Sequence, residues 1–397
     1  MTKADKEGQR KAPILRFKGF TDAWEQRQLN DIAKVYDGIH ETPNYTTCGI
    51  PFVSVENIRT LTTEKYVSKS FYEEKFKIKP QCDDILMTRI GDIGTSNVVS
   101  KIPLAYYVSL ALIRLNTGQN AYFFKYFFDS EYAQKELWSR TLHIAFPKKI
   151  NKNEIGKINI YTTCIKEENK IAQLFNKLNN LLALYERKLK LLSQIKKYFL
   201  DNLFAEKEYP NLRFKGFTDA WEQRKLGEVA TFINGRAYKQ NELLDSGKYK
   251  VLRVGNFYTN DSWYYSNLEL ADKYYIDKDD LVYTWSATFG PHIWNGEKVI
   301  YHYHIWKIEL SKFLDRDFTL QILEADKAKL LANTNGSTMI HVTKKDMESK
   351  VISLPTIEEQ KQIGLYLTKF DTLITLYENK QQHLTEIKKN LLNTMFI

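Results

Sequence analysis

Leu15 to Arg27 reads LRFKGFTDAWEQR, and the same string returns without a change as Leu212 to Arg224, 197 positions later. In a chain of 397 residues that offset is about half the length, so internal duplication is the first hypothesis to test. Similarity continues past the block, with Leu29, Ala33 and Gly38 returning as Leu226, Ala230 and Gly235. PFVSVENI (Pro51 to Ile58) aligns with KVLRVGNF (Lys250 to Phe257), and DDILMTRIGDIG (Asp83 to Gly94) with DDLVYTWSATFG (Asp279 to Gly290). These middles share an apolar pattern and differ in polar identity. LYERKLKLLSQIKKYFLDNLF (Leu184 to Phe204) then matches LYENKQQHLTEIKKNLLNTMF (Leu376 to Phe396) at an offset of 192. The chain reads as two homologous halves with shared ends and divergent middles.

The shared ends read as helix. Alternate steps of three and four from Phe175 land on Leu178, Leu182, Tyr185, Leu189, Leu192, Lys196, Phe199 and Leu203. The second copy gives Leu367, Phe370, Ile374, Tyr377, Gln381, Leu384, Lys388, Leu391 and Met395, with Lys388 falling where Lys196 fell. This is one apolar seam. Neither proline nor glycine interrupts Ile165 to Leu203, which allows a helix of about 38 residues and about 57 Å. A single-seamed helix of that length needs a partner along it, and the spacing predicts an intramolecular antiparallel coiled coil between the copies. Packing of each helix on its own domain alone is the weaker alternative. The middles, Gln28 to Ile160 and Lys225 to Leu354, carry short β-branched and aromatic runs such as Lys298 to Trp306, which read as strands. Helical patches follow at Tyr122 to Thr141 and Thr319 to Ala332. The expected organisation is a tail (1–14), a first α+β domain (15–160), a long helix (161–206), a second domain (207–354) and a second long helix (355–397), with Asp201 to Pro210 as the linker.

Composition narrows the function. The net charge is +10, with 43% hydrophobic, 14% aromatic and 27% charged residues and a mean hydropathy of −0.45, which excludes disordered, fibrous and acidic classes. The apolar run Ile102 to Ile113 is too short to span a bilayer and contains Pro103, so no membrane association and a cytoplasmic location are expected. Cys48, Cys82 and Cys164 form no CxxC pair; neither a disulfide framework nor a zinc site is indicated, and buried free thiols are expected. No GxxxxGK[ST] loop, GxGxxG turn or GxSxG elbow is present, which removes the usual phosphate cradles and nucleophile geometry. His302-x-His304, with His292 upstream, could ligate a metal, but the aligned Tyr106 to Ser109 has no histidine; a packed strand or base-contacting surface suits the flanking aromatics better, and no metal is expected. Asp83-Asp84 and Asp279-Asp280 precede apolar runs and read as turns. The Asn/Asp-Pro-Pro-Tyr/Phe motif of amino-methyltransferases is absent, Thr42-Pro-Asn-Tyr45 being a faint echo. What remains is basic charge interleaved with 25 Tyr, 22 Phe and 7 Trp, the chemistry of phosphate neutralisation and base stacking. Two divergent modules on one rigid spacer would read two half-sites a fixed distance apart, with affinity raised by linkage.

These features together resemble the specificity (S) subunit of type I restriction-modification enzymes. The repeated FKGFTDAWEQR block, Asp83 to Gly94, Ala145 to Ile150 (AFPKKI) and the two Tyr-Glu-x-Lys helices carry the resemblance, which extends from about Leu15 to Ile397. It implies an α+β fold of two pseudo-symmetric α/β target recognition domains separated by two long helices packed as an antiparallel coiled coil. It implies a non-catalytic subunit that binds double-stranded DNA at a bipartite asymmetric target, the helices acting as a ruler and docking two methyltransferase (M) subunits, with up to two motor-nuclease (R) subunits joining. No cofactor would be bound by this chain; S-adenosylmethionine would belong to the adenine-N6 methyltransferase partner, and ATP and Mg to the restriction partner. By the same resemblance Thr88-Arg89 opens a recognition loop in the first half, whereas Thr284-Trp285 lacks its arginine, and Asn234 to Lys239 faces Asp37 to Glu41 at the domain start. Arg59, Thr88, Arg89, Lys101, Arg236, Tyr238, Lys239 and Arg253 are candidates for phosphates or base edges, and Tyr258, Trp285 and His292 for base contact. Phe17, Phe20, Trp24, Phe214, Phe217 and Trp221 of the repeated block, with Tyr185 and Tyr377, are candidates for partner docking, because a surface meeting two copies of one partner stays alike. Phe175, Leu178, Leu182, Leu189, Leu192, Phe199, Leu367, Phe370, Ile374, Leu384 and Leu391 form the helix seam. The competing classes are a stand-alone nucleic-acid enzyme and a bivalent DNA-binding regulator without methyltransferase partners.

Overall fold

The structure, a computed structural model, describes residues 12–204, 208–258, 260–286, 288–332 and 342–396. The remaining part of the expected tail and the middle of the expected linker lie outside them. The duplication read from the block extends to the terminal strand pair and the central sheet of each half, while the smaller sheet has three strands in the first half and four in the second. In the first half, Glu25–Gln28 pairs antiparallel with Asn159–Thr162, and a sheet follows in the order Ala33–Asp37, Leu110–Leu115, Ile85–Thr88, Ser96–Val98. In the second, Glu222–Lys225 pairs with Val351–Leu354, and the sheet runs Ala230–Asn234, Ile305–Leu310, Leu281–Thr284, Gly290–Ile293. A smaller sheet is built on Ile50–Val53 in one half and on Tyr249–Leu252 in the other, each joined by a parallel pairing, to Ala105–Tyr106 and to Val299–Tyr301. The Asp-Asp pairs are the turns into the central strands: Asp83 and Asp279 adopt φ of 69° and 72°, a left-handed conformation that aspartate tolerates better than most residues. The next residues then anchor the sheet, Asp84 on Arg114 and Asp280 on Lys307, both at 2.7 Å.

The described residues form two compact units, one within 1–186 and 379–397 and the other within 187–378. Their limits cut each long helix near its middle instead of falling at the expected 201–210 linker. The helices are Ile165–Leu203 and Ile357–Met395, 39 residues each. The first begins at Ile165 and not at 161, because Asn159–Thr162 is committed to the strand pair.

Within each unit the start of one helix meets the end of the other, and the repeated block joins them. In the first unit Arg16 donates through Nε and Nη2 to Glu167 at 2.6 and 2.8 Å, while the Leu15 backbone N–H donates to the Thr394 carbonyl at 2.8 Å. In the second, Arg213 clamps Glu359 at 2.8 Å through both nitrogens, and the Leu212 N–H donates to the Asn202 carbonyl at 2.9 Å. Antiparallel pairing creates this junction twice. The block is therefore the suture between a helix start and a helix end, which accounts for its return without a change. Trp24 and Trp221, 3% and 2% exposed, form the apolar half of the same joint. Trp24 packs on Phe123 and Phe396 and its indole N–H donates to Glu167, and Trp221 packs on Phe318. Their expected role as a partner-facing surface is corrected: side chains this buried have no face left to offer.

Along the helices the expected seam positions face inward. Phe175 is fully buried on Tyr126 and Phe396 in the first unit, where Leu178 and Leu391 pack against the same core. Leu182 and Leu384 are half-buried. In the second unit Leu367 is buried, Phe199 meets Phe370, and Leu189, Leu192 and Ile374 are half-buried. The lysine in each seam has a local explanation. Lys196 pairs with Asp371 at 2.5 Å, and Asp371 accepts from Gln321. For Lys388 the position equivalent to Asp371 holds an amide, Asn179, which donates to the Tyr126 hydroxyl at 2.8 Å. Burial and the neighbouring Lys125 lower the Lys388 amine's pKa.

Three local expectations are revised. Tyr122 to Thr141 is two helices, Ala121–Phe128 and Glu131–Ser139, because Ser130 caps the second by accepting from the Ala133 N–H. His302 and His304 sit in the turn between Val299–Tyr301 and Ile305–Leu310, not on a strand face. The three cysteines are exposed, not buried: Cys48 and Cys82 fall in loops and Cys164 immediately before a long helix.

Candidate nucleic-acid interface

In the first half the glycine-containing loop after Ile85–Thr88 is shaped by Gly91 and Gly94, both at positive φ. A side chain at Gly94 would press within 2.8 Å of Leu137. Thr88 is buried, its hydroxyl donating to Asp92 and to the Thr95 carbonyl. Arg89 is buried as well: Nη1 donates to Asp37 Oδ1 at 2.7 Å and the Val108 carbonyl at 3.2 Å, and Nε donates to the Ile150 carbonyl. Nε and Nη1 of that guanidinium are committed inward, and Arg89 also lines a polar cleft beside the sheet. Thr88 and Arg89, expected to touch DNA, instead hold the loop on the sheet, beside this cleft of about 560 Å³, lined also by Asn30, Asp37, Asn151 and Lys152. Arg59 and Lys101 are exposed cations on this unit, and Arg59 adds its charge to the field of Lys125 around Lys388.

The second half gathers its candidates differently. Arg236 makes two hydrogen bonds to Glu242 at 3.0 and 2.8 Å and lies over the ring of Tyr238, which is half-buried with its hydroxyl donating to the Tyr301 carbonyl. Lys239 is exposed. Arg253 donates to the Ser262 carbonyl and lies over Tyr264 at 4.3 Å. On the last strand of the central sheet, His292 stacks on Phe257 at 4.2 Å and meets the Tyr258 hydroxyl at 3.2 Å. Burial, with Lys327 nearby, pushes its pKa down to about 4, so the imidazole is neutral near pH 7. Tyr258 keeps 40% of its surface exposed. Trp285 donates to the Tyr303 carbonyl and lies edge-on to His304. Tyr258, His292 and Trp285, with Tyr303 and His304 from the aromatic run that the sequence offered as a base-contacting surface, form a ring-rich surface, where the first half presents the exposed Arg59 and Lys101. No group of acids, histidines or cysteines among the described residues is arranged to hold a metal ion, and no helix among them is long and apolar enough to cross a membrane.

Of the docking candidates left, Phe17, Phe214 and Phe217 are half-buried, Phe20 carries Lys170 over its ring, and Tyr377 accepts from Lys188 at 3.3 Å; Tyr185 is half-buried. The apolar residues that do face outward are others. Leu181 and Leu184 on the first long helix, and Leu373 and Leu376 at the equivalent positions of the second, are all exposed. The signal that could have found them is that they fall off the seam at matched places in both copies. In the first domain Ile144 and Phe146 are fully exposed, within the AFPKKI segment.

The family of the type I restriction modification DNA specificity domain matches residues 218–386. The chain is 24% identical over 396 residues to a putative type I restriction enzyme specificity subunit of Methanocaldococcus jannaschii, covering 94% of this chain and 92% of that one. It is 26% identical over 176 residues to the EcoBI specificity subunit of Escherichia coli, 44% of this chain and 36% of that one. Among solved structures it resembles the S subunit of a type I restriction-modification system from M. genitalium, with a TM-score of 0.67 at 14% identity over 97% of this chain and 99% of that one. A second similar structure, from work on complex assembly and conformational transition of a type I system, gives a TM-score of 0.54 at 15% identity over 93% and 96%.

Proposed function

We propose, from its likeness to type I restriction-modification specificity subunits, that the chain is a non-catalytic subunit of that kind whose two domains each read one part of a bipartite, asymmetric DNA target. The observation that carries this reading is the contrast within the duplication. The two halves share the suture block and the central four-stranded sheet, yet aligned positions hold Arg59 and a glycine turn in one half and Tyr258 and Trp285 in the other. A shared scaffold with different polar and aromatic tips is what two different base sequences require. The paired helices set the unread spacer between the half-sites. Two copies of an adenine-N6 methyltransferase dock on the matched outward leucines, Leu181 with Leu184 and Leu373 with Leu376, since two equal surfaces fit one partner twice. S-adenosylmethionine is that partner's cofactor; ATP and Mg belong to motor-nuclease subunits that join for cleavage.

The test is to purify the chain from its own cells and weigh the complex by native mass spectrometry. Two methyltransferases per chain are expected. The methylated sequence is then read, and residues 28–160 are exchanged for those of a relative. One half-site is expected to change while the other stays. A lone chain that still binds DNA would favour a bivalent regulator, and a target unchanged by the exchange would defeat the modular reading.

A further inference from the structure

We propose that the loop from Leu142 to Pro147 is an apolar wedge that enters the DNA duplex at a base step next to the first half-site; this rests on the DNA-reading assignment above. Ile144 and Phe146 stand fully exposed at its tip, with Leu142 and Trp138 exposed beside them. The loop is held at both ends. Thr141 is buried, its hydroxyl donating to the Leu137 carbonyl, and Ile150 is buried with its N–H donating to the Arg89 carbonyl at 2.9 Å. Between these, the Leu142 N–H donates to the Lys149 carbonyl and the Gly91 N–H to the Lys148 carbonyl, both at 2.8 Å. The protruding tip is therefore fastened to the glycine turn, and Arg89, whose Nε donates to the Ile150 carbonyl, acts as its positioning residue. Trp138 braces the base: Lys148 Nζ lies 4.5 Å above its ring, and His143 packs at 4.5 Å with Nε2 against the Trp138 carbonyl.

The chemistry of the tip selects its occupant. Phosphates are polar, and the groove edges offer only the thymine methyl as an apolar contact, too small to cover an isoleucine and a phenylalanine together. The stacked faces of bases are the apolar surface of DNA, and side chains of this kind reach them by parting a base step. Lys148 and Lys149, exposed immediately behind the tip, supply the cations that a polyanion needs at the wedge's shoulders. A basic collar around an apolar point, on a chain of net charge +10, favours DNA over a protein groove.

The test uses the assembled complex and duplexes carrying its own methylated target, with 2-aminopurine placed in turn at each step of the first half-site and its flank, avoiding the adenines that are modified. Wild type is expected to raise the fluorescence at one step. Phe146→Ala, alone or with Ile144→Ala, is expected to abolish that rise and weaken binding by at least about tenfold, with subunit composition unchanged by native mass and Phe146→Leu restoring part of both. Both side chains are fully exposed, so an unaltered melting temperature is expected of each variant. Wild-type binding with no unstacked step, or Phe146→Ala with the signal and affinity intact, overturns the wedge and leaves the DNA-reading assignment standing. Loss of a methyltransferase from the Phe146→Ala complex overturns it in favour of a protein contact. A wild-type complex without sequence preference overturns both readings.

Discussion

Replacing Glu168 by glutamine should flatten the chain's stability between pH 5 and pH 8. Glu168 is 1% exposed, one residue after the clamp acid Glu167, and accepts the Asn120 N–H at 3.0 Å. Burial raises its pKa from the ordinary 4.5 to about 7. Below pH 4.5 the carboxyl is protonated in both states and costs nothing. Between 4.5 and 7 the unfolded chain releases the proton while the folded chain keeps it, so stability falls as pH rises; above 7 the loss is complete. A gap of about 2.5 pH units corresponds to about 3.4 kcal/mol, of which about 2.5 kcal/mol falls between pH 5 and 8. The second half carries the control: at the equivalent position Gln360 accepts the Asp315 N–H and donates to the Phe313 and Pro355 carbonyls, an amide where the first half has an acid. Urea unfolding of Glu168→Gln and wild type at several pH values measures the difference. Other titrating groups, including Glu324, whose carboxyl burial also raises, contribute equally to both proteins and cancel. Parallel stability curves for the two proteins would refute the argument, since they would mean Glu168 ionises folded as readily as unfolded.

Arg16→Ala and Arg213→Ala each strand a carboxylate whose side chain has 0% exposure and should cost about 3–5 kcal/mol, read as a lowered calorimetric transition; a change below 1 kcal/mol would mean the suture is ornamental. Arg89→Ala should lower stability and slacken the first half's binding to all sequences alike, and a switch of preference at one base pair would show instead that the guanidinium reads DNA. Inserting four residues into both long helices adds about 6 Å, so the methylated target should gain about two base pairs of spacer; sequencing an unchanged spacer would end the ruler assignment. Leu184→Glu with Leu376→Glu should leave the fold intact and remove methyltransferase from the complex by native mass, and retained stoichiometry would place docking elsewhere.

The scaffold was legible because its signals are periodic or repeated. Proline-free helices with leucine every three or four residues leave few alternatives, and an identical block at an offset of about half the chain dictates pseudo-symmetry. The individual site residues were not legible, for a physical reason. Arg89 in a glycine turn and Trp24 in a repeated block look like surface chemistry in one dimension, but their fate depends on Asp37 and Glu167, distant in sequence. Arginine and tryptophan serve recognition and burial equally well, and only the partner's position separates the two. The exposed leucines were hidden for the opposite reason: an apolar residue beside a seam reads as more seam until the face it occupies is known.

The suture also explains why divergence stopped where it did. An antiparallel pair brings a helix start and a helix end together in each unit, so a change in one copy of the block cannot be repaired by the other. Arg16 needs Glu167 and the Leu15 N–H needs the Thr394 carbonyl, while Arg213 and Leu212 repeat the demand on Glu359 and Asn202. Four separate helix ends are thereby fixed by one peptide used twice. The loops after Ile85–Thr88 and Leu281–Thr284 are held by partners within their own half, Gly91 by the Lys148 carbonyl and Trp285 by the Tyr303 carbonyl. Selection on what those tips touch could move them apart, from a glycine turn braced by Arg89 to a tryptophan and histidine face, without disturbing the frame that spaces them.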